Sequence, residues 1–242
     1  IDTAIYYNDL ALAAAKKIDH KRAYIDYSTR QSYLYNLLGD FKKGLEINQM
    51  GYETALALND KTSQLRALAG LGISSSYMNE YDKSLDYYQQ ALTLAIETKD
   101  DLRTAKMYGI MAGTYNNMGY SVSMDSSLFY KAIELGKKAL AIGRKLNDSL
   151  LISDNLNVIA LAYNNLDKIE DALPYATESK VIASALGLTS NYAEAVSKIS
   201  KYARMKGNYE EAIKYAKEAL SIHREMGNVM GMVINLKELA RS

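Results

Sequence analysis

One pattern returns along the whole chain at a nearly constant interval, and it restricts the fold more than any other feature. One column of this pattern is an aliphatic residue directly preceded by a small one, and its six members follow at intervals of 40, 40, 48, 40 and 40 residues. The aliphatic members are Ile5, Leu45, Leu85, Ile133, Leu173 and Ile213. A fixed period of this length predicts an array of similar units that stack on one another.

Both halves of each unit carry a helical pattern. The small residues that precede the aliphatic ones are Ala4, Gly44, Ser84, Ala132, Ala172 and Ala212, and a second small column follows seven residues later at Ala11, Gly51, Ala91, Ala139, Ser179 and Ala219. Residues seven apart share one face of a helix, and small side chains there let a neighbouring backbone approach closely. The other half shows apolar residues at a period of 3.6, as at Leu156, Ile159, Ala160, Tyr163 and Leu166.

Turn and capping residues separate these helical patterns. A Gly or Asx turn lies between the two helices of a unit, as at Gly39 and Gly207, and a capping residue recurs between units at Asp60, Asp100, Asp148 and Asn228. The unit is therefore a helical hairpin, which buries its apolar face only by stacking on its neighbours. We predict an all-α solenoid of stacked hairpins with about twelve helices.

The predicted array is continuous over residues 1–242, with no linker of the kind that separates domains. It comprises a partial repeat at 1–20, full repeats at 21–59, 60–99, 100–147, 148–187 and 188–227, and a final helix at 228–242. The closing helix carries apolar residues on a face that needs a partner, so we expect the chain to be a segment of a longer protein. The single proline, Pro174, lies inside a predicted second helix and is expected to bend it.

Two segments resemble a known repeat family. The stretches "GNYEEAIKYAKEALSI" (207–222) and "AYNNLDKIEDAL" (162–173) are similar to the second helix and the inter-helix turn of tetratricopeptide repeats. The resemblance implies a right-handed superhelix whose first helices line a concave groove. The period of 40 exceeds the usual length of about 34, and resembles the longer repeats of bacterial signalling proteins and kinesin light chains.

The composition argues against several classes of function. The chain has 29 Lys and Arg against 28 Asp and Glu, so there is no general electrostatic reason to bind nucleic acid or an anionic membrane. No apolar run approaches the roughly 18 residues that span a bilayer. There is no cysteine, and both a periplasmic and a cytoplasmic location are compatible with the sequence.

No arrangement of residues in the sequence predicts a catalytic, cofactor-binding or metal-binding site. Phosphate-binding glycine loops, nucleophile elbows and metal-ligand spacings do not occur, so we predict no catalytic, cofactor-binding or metal-binding residues and no cofactor. The two histidines, His20 and His223, lie five repeats apart and are expected on the surface near helix ends. We do not expect this segment to be an enzyme.

The candidate binding face follows from the resemblance. The first helices carry a second stripe beside the buried one, and its last column is polar in every unit, which suits hydrogen bonding to an extended peptide. The alternative is that these residues are polar only because the face is wet. The predicted contact residues are Tyr33, Asn36, Arg66, Ser76, Lys106, Asn116, Asn157, Asn164, Lys201 and Arg204.

The interval of 48 residues contains eight extra residues within "GYSVSMDSSLFYKAIEL" (119–135). We predict a short link at Ser121, Ser123 and Met124, followed by a second helix that begins near Asp125. That start is two turns early and extends the helix by roughly 9 Å at ~1.5 Å per residue. Phe129 and Tyr130 would lie on this projection, either as an accessory contact for a partner or packed locally over the array.

Two classes of function remain open from the sequence. The first is a module that binds a protein or peptide, including another part of its own chain. The resemblance implies that such a module is the sensory or scaffold part of a bacterial signalling protein, a sensor histidine kinase or a transcriptional regulator. The second is a structural or self-associating array, or a free adaptor, with no separate ligand; a homo-oligomer is compatible with either class.

Overall fold

The protein is all-α, and the computed structural model describes residues 2–123 and 125–242, without the side chains of Asp2 and Ser123. The helices in these ranges are α1 (Asp2–Lys17), α2 (Lys21–Leu37), α3 (Phe41–Ala57), α4 (Lys61–Tyr77), α5 (Tyr81–Glu97), α6 (Asp101–Met118), α7 (Ser126–Leu146), α8 (Ser149–Asn165), α9 (Ile169–Leu186), α10 (Thr189–Met205), α11 (Tyr209–Glu225) and α12 (Val229–Arg241). A π-helical turn, Gly119–Ser123, follows α6, and the described residues contain no strand. The predicted all-α class and the number of helices are confirmed.

The helices form two compact units, one up to Thr114 and one from Tyr115, with the boundary inside α6. In the first unit α2 packs on α3, α4 packs on α5, and the first helices α2 and α4 also touch each other. In the second unit α8 pairs with α9 and α10 with α11, while α10 contacts both α8 and α12. Each unit is therefore a stack of helical hairpins.

The turns between helices follow the predicted turn and capping residues. Most turns contain one residue in the left-handed region, for example Gly39 with a φ of 82° and Asn59 with a φ of 50°. Glycine tolerates this conformation, and Asn and Asp adopt it more readily than other residues. The side chains of Asp60, Asp148 and Asn228 each accept a hydrogen bond from a backbone N–H of the following helix. The predicted caps are confirmed at these positions.

The small columns lie on buried faces of the second helices. From Gly44 and Gly51 onward every member of both columns is buried. Ser84 Oγ donates to the carbonyl of Gly72 at 2.8 Å, so the two helices of that hairpin are in contact at this column. A larger side chain at these positions would push the hairpin apart.

The extra residues of the third repeat are divided between two helices. The side chain of Asp125 caps α7 and accepts from the N–H of Ser127 at 2.8 Å, which confirms the predicted start. However, α7 begins six residues before Ala132, whereas α9 begins three residues before Ala172. The helix is thus longer by about one turn, or roughly 5 Å, and not by two.

The remaining extra residues lengthen the preceding helix. Residues 119–123 form a π-helical turn that directly continues α6, so the prediction of a short link here is wrong as far as Ser123. Met124 lies outside the described residues. The backbone N–H and C=O groups of the extra residues need hydrogen-bond partners. A π-helical turn at the end of α6 provides such partners and accommodates the extra residues without a separate loop.

Phe129 is buried, with 1% of its surface exposed, so it does not offer the accessory contact that was one of the two alternatives. Its ring covers Gly119, where an added Cβ would lie 2.8 Å from Phe129 Cε1. The local-packing alternative therefore holds for Phe129. Tyr130 is 49% exposed, with the Lys168 ammonium 5.2 Å from its ring centroid, and only Tyr130 remains available as an accessory contact.

Candidate functional site

The first unit contains a cleft of about 950 Å³ between α1, α2, α4 and α6. Four of the predicted contact residues line it, namely Tyr33, Asn36, Arg66 and Lys106. Arg66 of α4 and Lys106 of α6 lie 40 residues apart, one repeat length, and both line this space. We refer to this space as the first-unit cleft.

The floor of the first-unit cleft is apolar. Ala69, Gly70 and Ile73 on one face of α4 contribute to it. Tyr33 stands beside them with 59% of its surface exposed, so its ring is accessible to a ligand. A concave apolar surface edged by a few polar groups is the usual form of a ligand site.

Basic side chains surround this floor. The lining contains four of them, Arg30, Arg66, Arg103 and Lys106, and one acidic side chain, Asp100. Arg103 is occupied by an ion pair with Asp100. Burial raises the pKa of Asp100, but hydrogen bonds from the Arg103 backbone and guanidinium outweigh this effect and the pKa lies below its usual value.

The other cations differ in how far they are neutralised. Arg66 pairs with Asp26 at 2.5 Å. Arg30 and Lys106 are exposed and form no ion pair with any described residue. The first-unit cleft therefore has a net positive lining in a chain whose overall formal charge is only +1.

Two buried polar atoms of the first-unit cleft have no hydrogen-bond partner among the described residues. They are Asn48 Oδ1 and Arg66 Nε. The Asn48 side chain is 1% exposed, and its Nδ2 donates to Ser32 Oγ. Gly70 makes room for it, because an added Cβ would lie 2.5 Å from Asn48 Nδ2. A buried polar atom without a hydrogen-bond partner lowers the stability of the folded state, so such atoms are rare and often mark a position where another group binds.

The polar column on the first helices, formed by Asn36, Ser76, Asn116, Asn164 and Arg204, makes some of its hydrogen bonds within the protein. In the first unit Asn36 is buried, and its Nδ2 donates to Ser74 Oγ of the next first helix at 3.0 Å. In the second unit Asn116 is buried, and its Nδ2 donates to the carbonyl of Val158 at 3.1 Å. Hydrogen bonds between successive first helices thus account for polarity at these two positions.

Several of the other predicted residues in the second unit are buried or already paired. Asn157 is buried and its Oδ1 is 3.5 Å from Lys198 Nζ, while Arg204 forms an ion pair with Glu238. Asn164 and Lys201 are half-buried, and burial lowers the pKa of Lys201. Ser76 of the first unit is also half-buried and lies outside the first-unit cleft. Partner binding by these residues stays a prediction.

The sequence did not reveal three residues of the first-unit cleft. Arg30 and Arg103 each lie three positions before a predicted contact residue, Tyr33 and Lys106 respectively, and Asn48 belongs to a second helix. The available signal was Gly70, a glycine inside a helical pattern, since such a glycine often marks a close approach by another group. The two histidines also differ from each other: His20 is exposed as predicted, whereas His223 is 4% exposed and the prediction of a surface position is wrong.

The described residues offer no cluster of three or more His, Cys, Asp and Glu side chains suited to a metal ion. Within the same ranges, no helix has the length and apolar character needed to cross a bilayer.

Comparison with known families supports the repeat assignment in both units. Models of the tetratricopeptide repeat match residues 67–102 and residues 193–226. The chain contains tetratricopeptide repeats. No curated protein matches the sequence.

Several solved structures share this tetratricopeptide fold at low sequence identity. BtubC from P. vanneervenii is 14% identical with a TM-score of 0.77, over 94% of this chain and 92% of that one. A Rap protein in complex with competence and sporulation factor is 14% identical with a TM-score of 0.74, over 89% of this chain and 57% of that one. A STAND signal transduction ATPase with a tetratricopeptide repeat sensor, from Pyrococcus horikoshii, is 15% identical with a TM-score of 0.71, over 90% of this chain and 33% of that one.

Proposed function

We propose that the chain is a repeat module that binds a protein or peptide, and that the first-unit cleft is its main contact surface. The observation that carries the proposal is the combination of an apolar floor, an exposed Tyr33 and unpaired Arg30 and Lys106 in one concave space. The Rap protein of similar fold was solved in complex with competence and sporulation factor, which supports a binding role for such an array.

We further propose that the module is the sensory or scaffold part of a bacterial signalling protein, with no catalytic role of its own. Tetratricopeptide repeats are generally binding modules, and the STAND protein of similar fold uses such repeats as its sensor. The attachment to a histidine kinase or a transcriptional regulator is a proposal that rests on the sequence resemblance.

A selection from a displayed random-peptide library tests the binding role. We expect peptides that bind the native chain to lose binding to an Ala69→Tyr variant, because the added ring fills the first-unit cleft. Ala57→Tyr is the matched control, since Ala57 is exposed on α3 away from the first-unit cleft. Circular dichroism must show equal helicity for both variants.

Two outcomes contradict the proposal. Selected peptides that bind the Ala69→Tyr variant as well as the native chain would place the site elsewhere. A library that yields no binding peptide would favour the structural or self-associating alternative.

A further inference from the structure

We propose that the occupant of the first-unit cleft is an acidic peptide segment with at least one apolar side chain among its carboxylates. This inference rests on the proposed binding function and adds the chemistry of the ligand. Three independent observations support it: the positive charge of the lining, the apolar floor, and the buried atoms Asn48 Oδ1 and Arg66 Nε that have no hydrogen-bond partner among the described residues.

Charge selects against basic and neutral segments. Of the four cations in the lining, Arg30 and Lys106 form no ion pair with any described residue, although the charge of Lys106 contributes to the lowered pKa of Asp100. Arg66 already pairs with Asp26, an ion pair whose side chains are 38% and 48% exposed, so a ligand carboxylate can approach the same guanidinium. Complementary charge of this kind raises the association rate and disfavours partners of the wrong sign.

The floor selects for an apolar side chain. Ala69 and Gly70 leave space because they carry little or no side chain, and Ile73 and Tyr33 border that space. An aliphatic or aromatic ligand residue seated there would be removed from water and provide the non-polar part of the binding energy. A segment with acidic side chains only would leave the apolar floor exposed to water and gain no free energy from its burial.

The unpaired buried atoms suit a peptide main chain. Asn48 Oδ1 can accept from a peptide N–H, and Arg66 Nε can donate to a peptide carbonyl or a carboxylate. Both atoms belong to residues that line the first-unit cleft. A simple anion offers acceptors only and could satisfy Arg66 Nε alone, whereas a peptide segment offers N–H donors and carbonyl acceptors together.

The test measures which peptides the protein prefers. A displayed library with equal representation of all residues is selected on the native chain, and the enriched peptides are then titrated by fluorescence anisotropy. We expect enrichment of Asp and Glu around one apolar residue. The Arg30→Glu/Lys106→Glu variant should bind those peptides at least about tenfold more weakly, because attraction becomes repulsion at two positions.

The control variant carries a matched pair of charge reversals outside the site. Lys21→Glu/Lys42→Glu changes two exposed lysines that do not line the first-unit cleft, and it should leave the affinity unchanged. Substituting Gln for Glu in the best peptide should weaken binding to the native chain but not to the Arg30→Glu/Lys106→Glu variant.

The outcomes separate this inference from the proposed function. Enriched peptides that are neutral or basic, or that bind the double variant with unchanged affinity, overturn the acidic ligand and leave peptide binding intact. Retention of no peptide at all overturns both. Acidic peptides without an apolar residue that bind equally well overturn the role given to Ala69, Gly70 and Ile73.

Discussion

At the residue scale, the second unit holds a histidine where other repeats have a small residue. The equivalent residues Ala95 and Ala183 are fully buried, and His223 is 4% exposed in the same environment. Gly231 compensates, because an added Cβ would lie 2.3 Å from His223 Nδ1. Nδ1 has no partner among the described residues, and Nε2 lies 3.4 Å from Ser197 Oγ. Burial with one ring nitrogen unpartnered favours the neutral imidazole.

This packing predicts that the second unit loses stability in mild acid. Burial lowers the pKa of His223 below the ordinary 6.5, and the Glu194 carboxylate offsets only part of that effect. Between the lowered folded-state pKa and 6.5 the unfolded chain binds more protons, so the free energy of unfolding falls as the pH drops through this window. Urea unfolding measured at a series of pH values checks this.

The matched variants isolate His223 from other titrating groups. His223→Gln keeps a polar side chain of similar size without a titrating ring, and it should flatten the dependence. His20→Gln changes an exposed histidine and should leave the dependence in place. Equal pH profiles for the native chain and His223→Gln would show that His223 does not titrate on unfolding.

The residue scale is also where the sequence was least informative about the site. The alternation of small and aliphatic residues identified the hairpin contacts because it repeats in every unit. The Asn48–Gly70 contact occurs once, and a single pair from two helices leaves no periodic signal. Likewise, the polarity of Asn36 and Asn116 was visible, but their burial depends on how closely successive first helices approach.

At the scale of elements, the sequence predicted the start of α7 correctly but overestimated how far the helix is extended. Asp125 followed by a regular apolar face marks a helix start, and the N-cap hydrogen bond to Ser127 confirms it. The division of eight extra residues between α6 and α7 is decided by packing, since Phe129 needs the space above Gly119. That contact joins two helices and has no counterpart in other repeats.

The packing of Phe129 gives a prediction for the extended helix. Phe129→Ala removes a ring that is 1% exposed and should lower the free energy of unfolding by roughly 3 kcal/mol, because the cavity over Gly119 cannot close fully. Tyr130→Ala, at a side chain 49% exposed, should cost less than about 1 kcal/mol. Urea denaturation followed by circular dichroism measures both, and equal losses would mean that α7 is not anchored through Phe129.

At the scale of the whole molecule, the sequence predicted one continuous array over residues 1–242. The structure describes two compact units, and their continuity as one array stays a prediction. Its support is local: α6 spans Asp101–Met118 and contributes residues to both units. A helix propagates cooperatively once formed, so unfolding one half of α6 weakens the other half. In repeat arrays, stability is approximately a sum over units and their interfaces, and adjacent units tend to unfold together.

Overpacking one unit at a time tests this coupling. Ala91 in the first unit and Ala139 in the second are both fully buried members of the small column. Replacing either by Leu should cost roughly 1–3 kcal/mol, since the facing helix must move away. If the two units unfold cooperatively, each variant shifts one common thermal transition. If Ala91→Leu instead produces a separate early transition while Ala139→Leu shifts only a later one, the units are independent and the continuous-array prediction fails.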